Sequence, residues 1–209
     1  MPTVTPIVFV VDDDVSVRES LELLITDAGW RAELCASSQE FLNRPRPPSP
    51  CCLVLDVSLP DLSGLELQKR IGAQRTQMPI IFLTGHGDIP MSVEAMKGGA
   101  VEFLTKPVTP AILLAAIEHA LLRSRDGMEE DARLLALRDR YVALSARERQ
   151  VMELVVRGRL NKQVGGELGI EEITVKAHRG RVMKKMGARS LPELVIIASR
   201  LGLKTAGRG

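Results

Sequence analysis

Three adjacent carboxylates, Asp12, Asp13 and Asp14, end an apolar run of mostly β-branched residues from Ile7 to Val11. Neighbouring negative charges repel one another, and a bound cation or a positive side chain would relieve that repulsion. The sequence therefore predicts something positive at this position. An Asp that follows a strand can also form a turn or cap a helix, and Asp14 suits that role before a helix that starts near Val15.

Three further polar residues, Asp56, Thr84 and Lys106, each stand just past a short apolar run. Such runs alternate five times with amphipathic segments across residues 5–122, which predicts a doubly wound (βα)5 parallel sheet with helices on both faces. The carboxyl ends of parallel strands meet at one edge of the sheet, where ligands bind. We therefore expect these residues to share one pocket with Asp12 and Asp13.

Carboxylates, water and a backbone carbonyl are the oxygen ligands that suit Mg²⁺. Beside Mg²⁺, Asp56 can act as a nucleophile toward a phosphoryl group and form an acyl phosphate. The Lys106 ammonium would offset charge on the phosphoryl oxygens, and the Thr84 hydroxyl could donate to one of them. The set predicts a phosphoacceptor site, although each residue taken alone is commonly just structural.

The charge of the chain differs between its two ends. The 209 residues are 45% apolar and 26% charged, which is typical of a soluble globular protein with one or two domains. Residues 1–122 hold 9 Lys and Arg against 15 Asp and Glu, a net charge of −6, whereas residues 144–209 hold 14 against 6, a net charge of +8. The acidic part suits cation binding and the basic part a polyanion.

No apolar stretch approaches the length of a membrane-spanning helix, and the first residues lack the pattern of a secretion signal, so we expect a cytoplasmic protein with no membrane partner. The three cysteines, Cys35, Cys51 and Cys52, have no metal-ligand spacing and are interpreted as buried free thiols. Residues 110–141 have a helical pattern, and residues 123–143 carry 5 positive against 5 negative charges, which is typical of a solvated helical linker.

The basic end of the chain shows helices and no strand pattern. Ser145 and Glu148 fit a capping box that opens the first helix, and Asn161 is expected to cap the second. The third helix is expected from about Glu171 to Met186, and a fourth follows to about residue 201. The short turn before the third helix has the spacing of a helix-turn-helix motif.

The third of these helices separates into a core side and an exposed side on a helical wheel. The core side carries Val175, Val182 and Met186. The predicted exposed side and its flanks carry cations and small residues: Ile173, Thr174, Lys176, Ala177, Gly180, Arg181 and Lys184. Such a face could enter the major groove of DNA, with Lys162 and Arg179 as phosphate contacts, although a basic helix face is often merely solvated.

The segments "VVDDD", "LVLDVSLPDLSG", "IIFLTGHGD" and "FLTKPV" resemble the strand-end motifs of the receiver domain of bacterial two-component response regulators, over residues 5 to about 122. The resemblance implies that Asp56 accepts phosphate from a sensor histidine kinase. It implies that Asp12, Asp13 and Asp56 bind Mg²⁺ with the backbone carbonyl of Ser58.

The same resemblance implies a switch. Thr84 and Phe103 would form the switch pair, and Lys106 would be followed by a cis peptide bond to Pro107. Phosphorylation adds localised charge and acceptor atoms, so Thr84 would move toward it and Phe103 would turn inward. A new dimer surface is the usual consequence in this family.

Residues 144–195 resemble the DNA-binding domain of the NarL/FixJ class of response regulators, shared with LuxR proteins, and "GHGDIP" is more similar to the FixJ branch. In that family the equivalents of Lys176, Ala177 and Gly180 face the groove. Gly165 and Gly166 depart from the pattern, since glycine costs helix stability. Glu171 replaces the usual small cap residue, and it would repel DNA phosphates.

Together these features predict a receiver domain (1–122), a helical linker (123–143) and a LuxR-type helix-turn-helix domain (144–209). The predicted function is a transcription factor that dimerises on phosphorylation, binds paired half-sites in promoter DNA and contacts RNA polymerase. It is not expected to be a turnover enzyme.

Two other classes remain open. The first is a Mg²⁺-dependent phosphohydrolase, although Ser58 stands where a typical aspartyl phosphatase has its second Asp. The second is a module that binds a partner without phosphate. The direction of control also stays open, because the receiver could mask the DNA-binding helix until it is phosphorylated.

Overall fold

The computed structural model describes residues 5–45, 48–74, 78–85 and 87–205. The chain divides into two compact units, residues 1–129 and residues 130–209. Among the described residues, no helix combines the length and the apolar character that crossing a bilayer requires.

The first unit is built on one sheet of five parallel strands in the order β2-β1-β3-β4-β5. The strands are β1 (Ile7–Val11), β2 (Arg31–Cys35), β3 (Cys51–Leu55), β4 (Ile80–Thr84) and β5 (Glu102–Thr105). Every residue of β1, β3 and β4 is buried, because these strands are covered on both faces. The predicted doubly wound sheet is confirmed.

Five helices follow the strands in turn: α1 (Val15–Asp27), α2 (Ser38–Leu42), α3 (Gly64–Gln74), α4 (Ile89–Lys97) and α5 (Pro110–Val142). Two apolar clusters lie on opposite faces of the sheet. On one face, Phe9 and Phe82 pack with Leu67 of α3, and on the other, Val10 packs with Ile25 of α1 and Ile117 of α5. All three cysteines are free and buried in these clusters, as expected.

The ends of the strands and helices differ slightly from the sequence pattern. Thr84 was expected just past the fourth strand, but it is the last residue of β4, because the ladder to β5 continues to the pair Thr84 and Thr105. Asp14 caps α1 as expected, since its side chain accepts hydrogen bonds from the N–H and hydroxyl of Ser16 at 2.8 Å and 2.6 Å.

The described part of the second unit consists of helices. They are the end of α5, α6 (Ala146–Val156), α7 (Asn161–Leu168), α8 (Glu172–Met186) and α9 (Leu191–Arg200). The capping box of Ser145 and Glu148 is present at the start of α6. Gly169 and Gly187 adopt left-handed conformations, with φ of 65° and 73°, where α7 and α8 end.

The prediction that Asn161 caps α7 is wrong. Leu160 occupies the cap position, its N–H donates to the Gln163 side chain at 2.9 Å, and Asn161 is the first helical residue. The Asn161 side chain instead accepts from Arg179 of α8 at 3.2 Å. The neighbouring helix therefore engages the side chain that could have capped α7.

One face of the end of α5 is partly buried rather than solvated. Leu137 and Tyr141 pack against the core of the second unit, and the Tyr141 hydroxyl donates to Glu153 at 3.1 Å. Arg140 donates to the backbone carbonyl of Met186 at 3.3 Å, near the end of α8. Balanced charge along residues 123–143 did not reveal that this apolar stripe faces a core.

Candidate functional sites

The strand register brings two of the predicted carboxylates together. Val11 of β1 pairs with Leu55 of β3, so the next residues, Asp12 and Asp56, leave the sheet side by side. Asp12, Asp13 and Asp56 each offer a carboxylate oxygen within 4.8 Å of the others, and these three residues are called the acidic pocket below. Asp12 and Asp56 are buried, whereas Asp13 is exposed.

Lys106 joins this pocket from the end of β5. Its ammonium nitrogen donates to Oδ2 of Asp12 at 2.6 Å and to Oδ2 of Asp56 at 2.9 Å. The lysine is held by its backbone, since its N–H donates to the carbonyl of Thr84 at 2.8 Å. The peptide bond from Lys106 to Pro107 is cis, as the family resemblance implied.

The turns after β1 and β3 bind the Asp12 and Asp56 carboxylates through equivalent hydrogen bonds. Oδ1 of Asp12 accepts the N–H of Asp14 at 3.0 Å, and Oδ1 of Asp56 accepts the N–H of Ser58 at 3.0 Å. Each carboxylate therefore uses one oxygen for its own turn and presents the other to Lys106. Both side chains are oriented by their backbone before any ligand arrives.

The electrostatics of the pocket reflect burial and the shared lysine. Burial raises the pKa of Asp12, and the hydrogen bonds from Lys106 and from the Asp14 N–H oppose that rise only in part. Burial works to lower the pKa of Lys106, but its hydrogen bonds to Asp12 and Asp56 outweigh burial, so the pKa lies above its ordinary value. Lys106 therefore stays charged and offsets the carboxylates.

One glycine shapes the pocket although the sequence analysis did not single it out. A Cβ atom on Gly64, the first residue of α3, would lie 2.4 Å from the backbone carbonyl oxygen of Asp56. Only a residue without a side chain lets α3 start this close to the turn after β3. The sequence shows a glycine in "LSGLE", but it does not show that this glycine lies close to the backbone of Asp56.

The remaining residues of the predicted site lie in β4, in β5 and after β3. Thr84 is fully buried at the end of β4, and Ser58 is exposed. Phe103 of β5 is half-buried, with its ring centroid 6.0 Å from that of Phe82. A Cβ atom on Gly87 would lie 2.8 Å from the Phe103 ring, so this ring packs on the backbone after β4.

The donor set of the acidic pocket fits a hard divalent cation. Three carboxylates offer oxygen atoms close together, and one of them belongs to an exposed residue through which an ion could enter. Mg²⁺ prefers one or two carboxylates with water and phosphate oxygens, and the carboxylates of Asp12, Asp13 and Asp56 are donors of that kind.

In the second unit, α8 presents the predicted face to solvent. Val175, Val182 and Met186 are buried, whereas Ile173 is 71% exposed. Exposed cationic and small residues share the outward side: Lys176, Ala177, Gly180, Arg181 and Lys184. Thr174 is half-buried beside them. The helical wheel therefore separated core from surface correctly.

Several cations of this unit have protein partners. Lys176 forms an ion pair with Glu172 at 3.1 Å, one turn earlier on α8. Arg179 is half-buried and donates to Asn161, which links α8 to the start of α7. Lys162 is exposed near the start of α7. The spacing of Glu172 and Lys176 was a signal for their pair that the sequence analysis missed.

The adjacent glycines of α7 have different surroundings. A Cβ atom on Gly165 would lie 2.7 Å from the backbone carbonyl oxygen of Ile170, in the turn that leads to α8. Apart from its chain neighbours and the nearby backbone of α7, no heavy atom of the described residues lies within 4 Å of the Cβ position of Gly166. Gly165 is thus required by a close backbone approach, and Gly166 is not.

Two family models match the chain. The model described as "Response regulator receiver domain" matches residues 8–118, and the model described as "Bacterial regulatory proteins, luxR family" matches residues 142–198.

Similar proteins match over nearly the whole chain. Nodulation protein W of Bradyrhizobium diazoefficiens is 49% identical over 94% of this chain and 87% of its own length. The transcriptional regulatory protein FixJ of Azorhizobium caulinodans is 45% identical over 99% of this chain and 97% of its own length. The solved structure of the response regulator StyR is 46% identical with a TM-score of 0.80, over 94% of this chain and 100% of that one.

Proposed function

Because the chain belongs to the bacterial response regulators that join a receiver domain to a LuxR-family DNA-binding domain, it is a phosphorylation-regulated transcription factor, and we propose that Asp56 is its phosphoacceptor. The observation that carries this proposal is the contact of Lys106 with both Asp12 and Asp56. This contact gives the Asp56 carboxylate a neighbouring cation and a fixed orientation at the carboxyl ends of the strands.

In the proposed reaction, a carboxylate oxygen of Asp56 attacks the phosphorus of a phosphohistidine on the sensor kinase. A new O–P bond forms, and the P–N bond to the imidazole breaks. Asp12, Asp13 and Asp56, with the carbonyl of Ser58, would hold Mg²⁺, which supplies positive charge to the phosphoryl oxygens. The Lys106 ammonium would offset the charge on the oxygens of the transferred phosphoryl group.

The proposed switch uses Thr84 and Phe103. Thr84 is buried at the end of β4, and its carbonyl accepts the N–H of Lys106, so its hydroxyl would move toward a phosphoryl oxygen and donate to it. Phe103 is half-buried and packs on Phe82 and Gly87. A shift at the end of β4 would therefore change the packing around the Phe103 ring. Phosphorylation would therefore be transmitted to the surface formed by α4, β5 and α5.

The surface of α4 supports a homodimer as the outcome of that switch. Ile89, Val93 and Met96 are 80%, 44% and 46% exposed and follow one face of the helix at spacings of four and three. An apolar stripe of this kind, on a helix that packs against β5, is suited to a second copy of the chain. Dimerisation would place two DNA-binding domains on paired half-sites.

The proposed DNA contacts lie on α8 and at the start of α7. Base edges would be contacted by Lys176, Ala177 and Gly180, with Thr174, Arg181 and Lys184 beside them, and phosphates by Lys162 and Arg179. The assignment of residues 1–122, 123–143 and 144–209 to receiver, linker and DNA-binding domain belongs to the same proposal. So do contact with RNA polymerase at the promoter and action in the cytoplasm, where bacterial DNA lies.

No turnover of an external phosphate ester is proposed. An aspartyl phosphatase needs an acid/base residue two positions after its nucleophile, and this chain has Ser58 there. The acyl phosphate on Asp56 would therefore persist until water hydrolyses it, which is the behaviour required of a signal.

The test is phosphorylation with acetyl phosphate and Mg²⁺, followed by intact mass, sedimentation and DNA binding. The wild-type chain should gain one phosphoryl group, sediment as a dimer and bind promoter DNA more tightly. Asp56→Asn should show none of these changes, whereas Asp27→Asn, at an exposed position ending α1, should behave as wild type. A phosphoryl group on Asp56→Asn would refute the assignment.

The dimer surface needs a separate variant. Val93→Glu places a charge in the middle of the α4 stripe, so it should still be phosphorylated but should remain monomeric. Phosphorylated Val93→Glu that still sediments as a dimer would exclude this face.

A further inference from the structure

Gly180 lies inside α8, at a position where neither the backbone conformation nor the surrounding packing requires glycine. Glycine destabilises the interior of a helix relative to alanine, because it loses more backbone freedom on folding. The φ angle of Gly180 lies outside the left-handed region that favours glycine. Of the described atoms outside the helix's own adjacent backbone, none lies within 4 Å of its Cβ position. An alanine would therefore fit the free protein.

Other glycines in the same unit show what a structural requirement looks like. Gly165 faces a backbone carbonyl that a Cβ atom would approach to 2.7 Å, and Gly187 has a φ of 73° where α8 ends. Gly180 has neither feature, so the structure of the free protein does not itself require glycine at this position.

The surroundings of Gly180 indicate what binds. Lys176 and Lys184 stand one turn before and one turn after it on the same face, and both are exposed. Ile173 continues this row and is 71% exposed, although it is a large apolar side chain. A face that combines cations with an uncovered apolar group fits the phosphates and thymine methyl groups of duplex DNA.

We propose that Gly180 sets the base specificity of α8 by keeping the space between Lys176 and Lys184 free of a side chain. The helix backbone can then approach the base edges closely, and both lysines reach into the groove on either side. This inference rests on the proposed role of α8 in DNA binding. It adds that the missing side chain, rather than a contacting one, distinguishes the preferred sequence.

The experiment compares full-length Gly180→Ala with wild type. A duplex with high affinity is first selected from a random-sequence library with the phosphorylated wild-type chain, and an unselected duplex serves as the non-specific probe. Gly180→Ala should unfold at a higher temperature than wild type and should bind the selected duplex about tenfold more weakly. Its affinity for the unselected duplex should not change, because phosphate contacts are retained.

Gly72→Ala is the matched control. Gly72 lies in α3 of the receiver and is likewise exposed, and no described atom beyond its chain neighbours and the nearby backbone of α3 lies within 4 Å of its Cβ position. The control should gain stability and bind both duplexes as wild type does. The proposal is overturned if Gly180→Ala binds the selected duplex as tightly as wild type, or if it loses affinity for both duplexes equally.

A third variant separates this inference from the proposed function. Lys176→Ala should weaken binding to the selected duplex if α8 reads DNA. If Lys176→Ala weakens binding and Gly180→Ala does not, only the inference about Gly180 fails. If neither variant weakens binding, the proposed role of α8 fails as well.

Discussion

The ammonium nitrogen of Lys106 lies 2.9 Å from Oδ2 of Asp56, although 50 residues separate them in the chain. The same nitrogen lies 2.6 Å from Oδ2 of Asp12, whose side chain is only 3% exposed. One cation thus holds two buried carboxylates that would otherwise repel each other. Lys106 supplies positive charge where the sequence predicted it, at the end of β1.

Replacing this lysine should destabilise the receiver in a way that Mg²⁺ can reverse. Lys106→Met leaves two buried carboxylates without their cation, so the free energy of unfolding should fall by about 2 kcal/mol in the presence of EDTA. Added Mg²⁺ should restore more stability to the variant than to wild type, because it replaces the lost positive charge. Urea unfolding followed through Trp30, the single tryptophan of the chain, measures both effects.

Lys97→Met is the control for this measurement. Lys97 is exposed at the end of α4, so its replacement should change the unfolding free energy by no more than about 0.5 kcal/mol and should not alter the response to Mg²⁺. Equal stability of Lys106→Met and wild type in EDTA would show that the lysine does not balance the pocket.

The acidic pocket could be predicted because topology alone places it. Short apolar runs that alternate with amphipathic segments predict parallel strands, whose carboxyl ends meet at one edge, so Asp12, Asp56 and Lys106 are expected together. The role of Gly64 could not be predicted in this way, because it depends on the distance between the start of α3 and the Asp56 carbonyl. A sequence pattern indicates which end of a strand carries the site residues, but it does not give the distance between two backbone segments.

The helical unit shows the same limit. The exposed and buried sides of α8 followed from a period of 3.6 residues, which needs no tertiary information. Asn161 was assigned to a cap by local preference, but Arg179 competes for its side chain across 18 residues. The charge balance of residues 123–143 suggested solvent, whereas Tyr141 packs on the core of the second unit. Each error arose where a distant partner outweighed a local tendency.

The adjacent glycines of α7 should respond to alanine with opposite signs. Gly165→Ala forces a methyl group against the carbonyl of Ile170, so the second unit should lose roughly 1–3 kcal/mol of stability. Gly166→Ala meets open space and should gain about 0.5–1 kcal/mol from helix propensity. Unfolding is followed through Tyr141, the single tyrosine, in a Trp30→Phe background. Stabilisation by both variants would contradict the close approach at Gly165.

The pH dependence of the second unit should depend on Glu148. Its carboxylate is buried and accepts hydrogen bonds from Lys185 at 2.6 Å and from the Ser145 N–H at 2.8 Å. These bonds hold the pKa of Glu148 below its ordinary value, with Lys185 as the largest cause. Its contribution to stability is therefore complete above the ordinary pKa of a glutamate and is lost as the pH falls through the lowered one.

Glu148→Gln tests this prediction. The variant should be less stable than wild type at pH 7, and the difference should shrink as the pH is lowered through the acidic range. The Gln side chain still accepts the Ser145 N–H, so the lost stability reports mainly the ion pair with Lys185. Thermal unfolding at a series of pH values, followed through Tyr141, gives both curves. Parallel curves for variant and wild type would mean that Glu148 does not titrate with folding.

The pair between Glu172 and Lys176 should restrain DNA binding. Both side chains are exposed, so the pair contributes little to stability. In DNA binding, the Glu172 carboxylate would repel the phosphates, and its ion pair would keep Lys176 from contacting the DNA. Glu172→Gln should bind an unselected duplex roughly fivefold more tightly at low salt, with an advantage that shrinks as salt increases. Glu22→Gln, an equal charge change on the exposed side of α1, should have no effect. If the gain persists in Glu172→Gln combined with Lys176→Ala, it comes from lost repulsion; if it disappears, it comes from the released lysine.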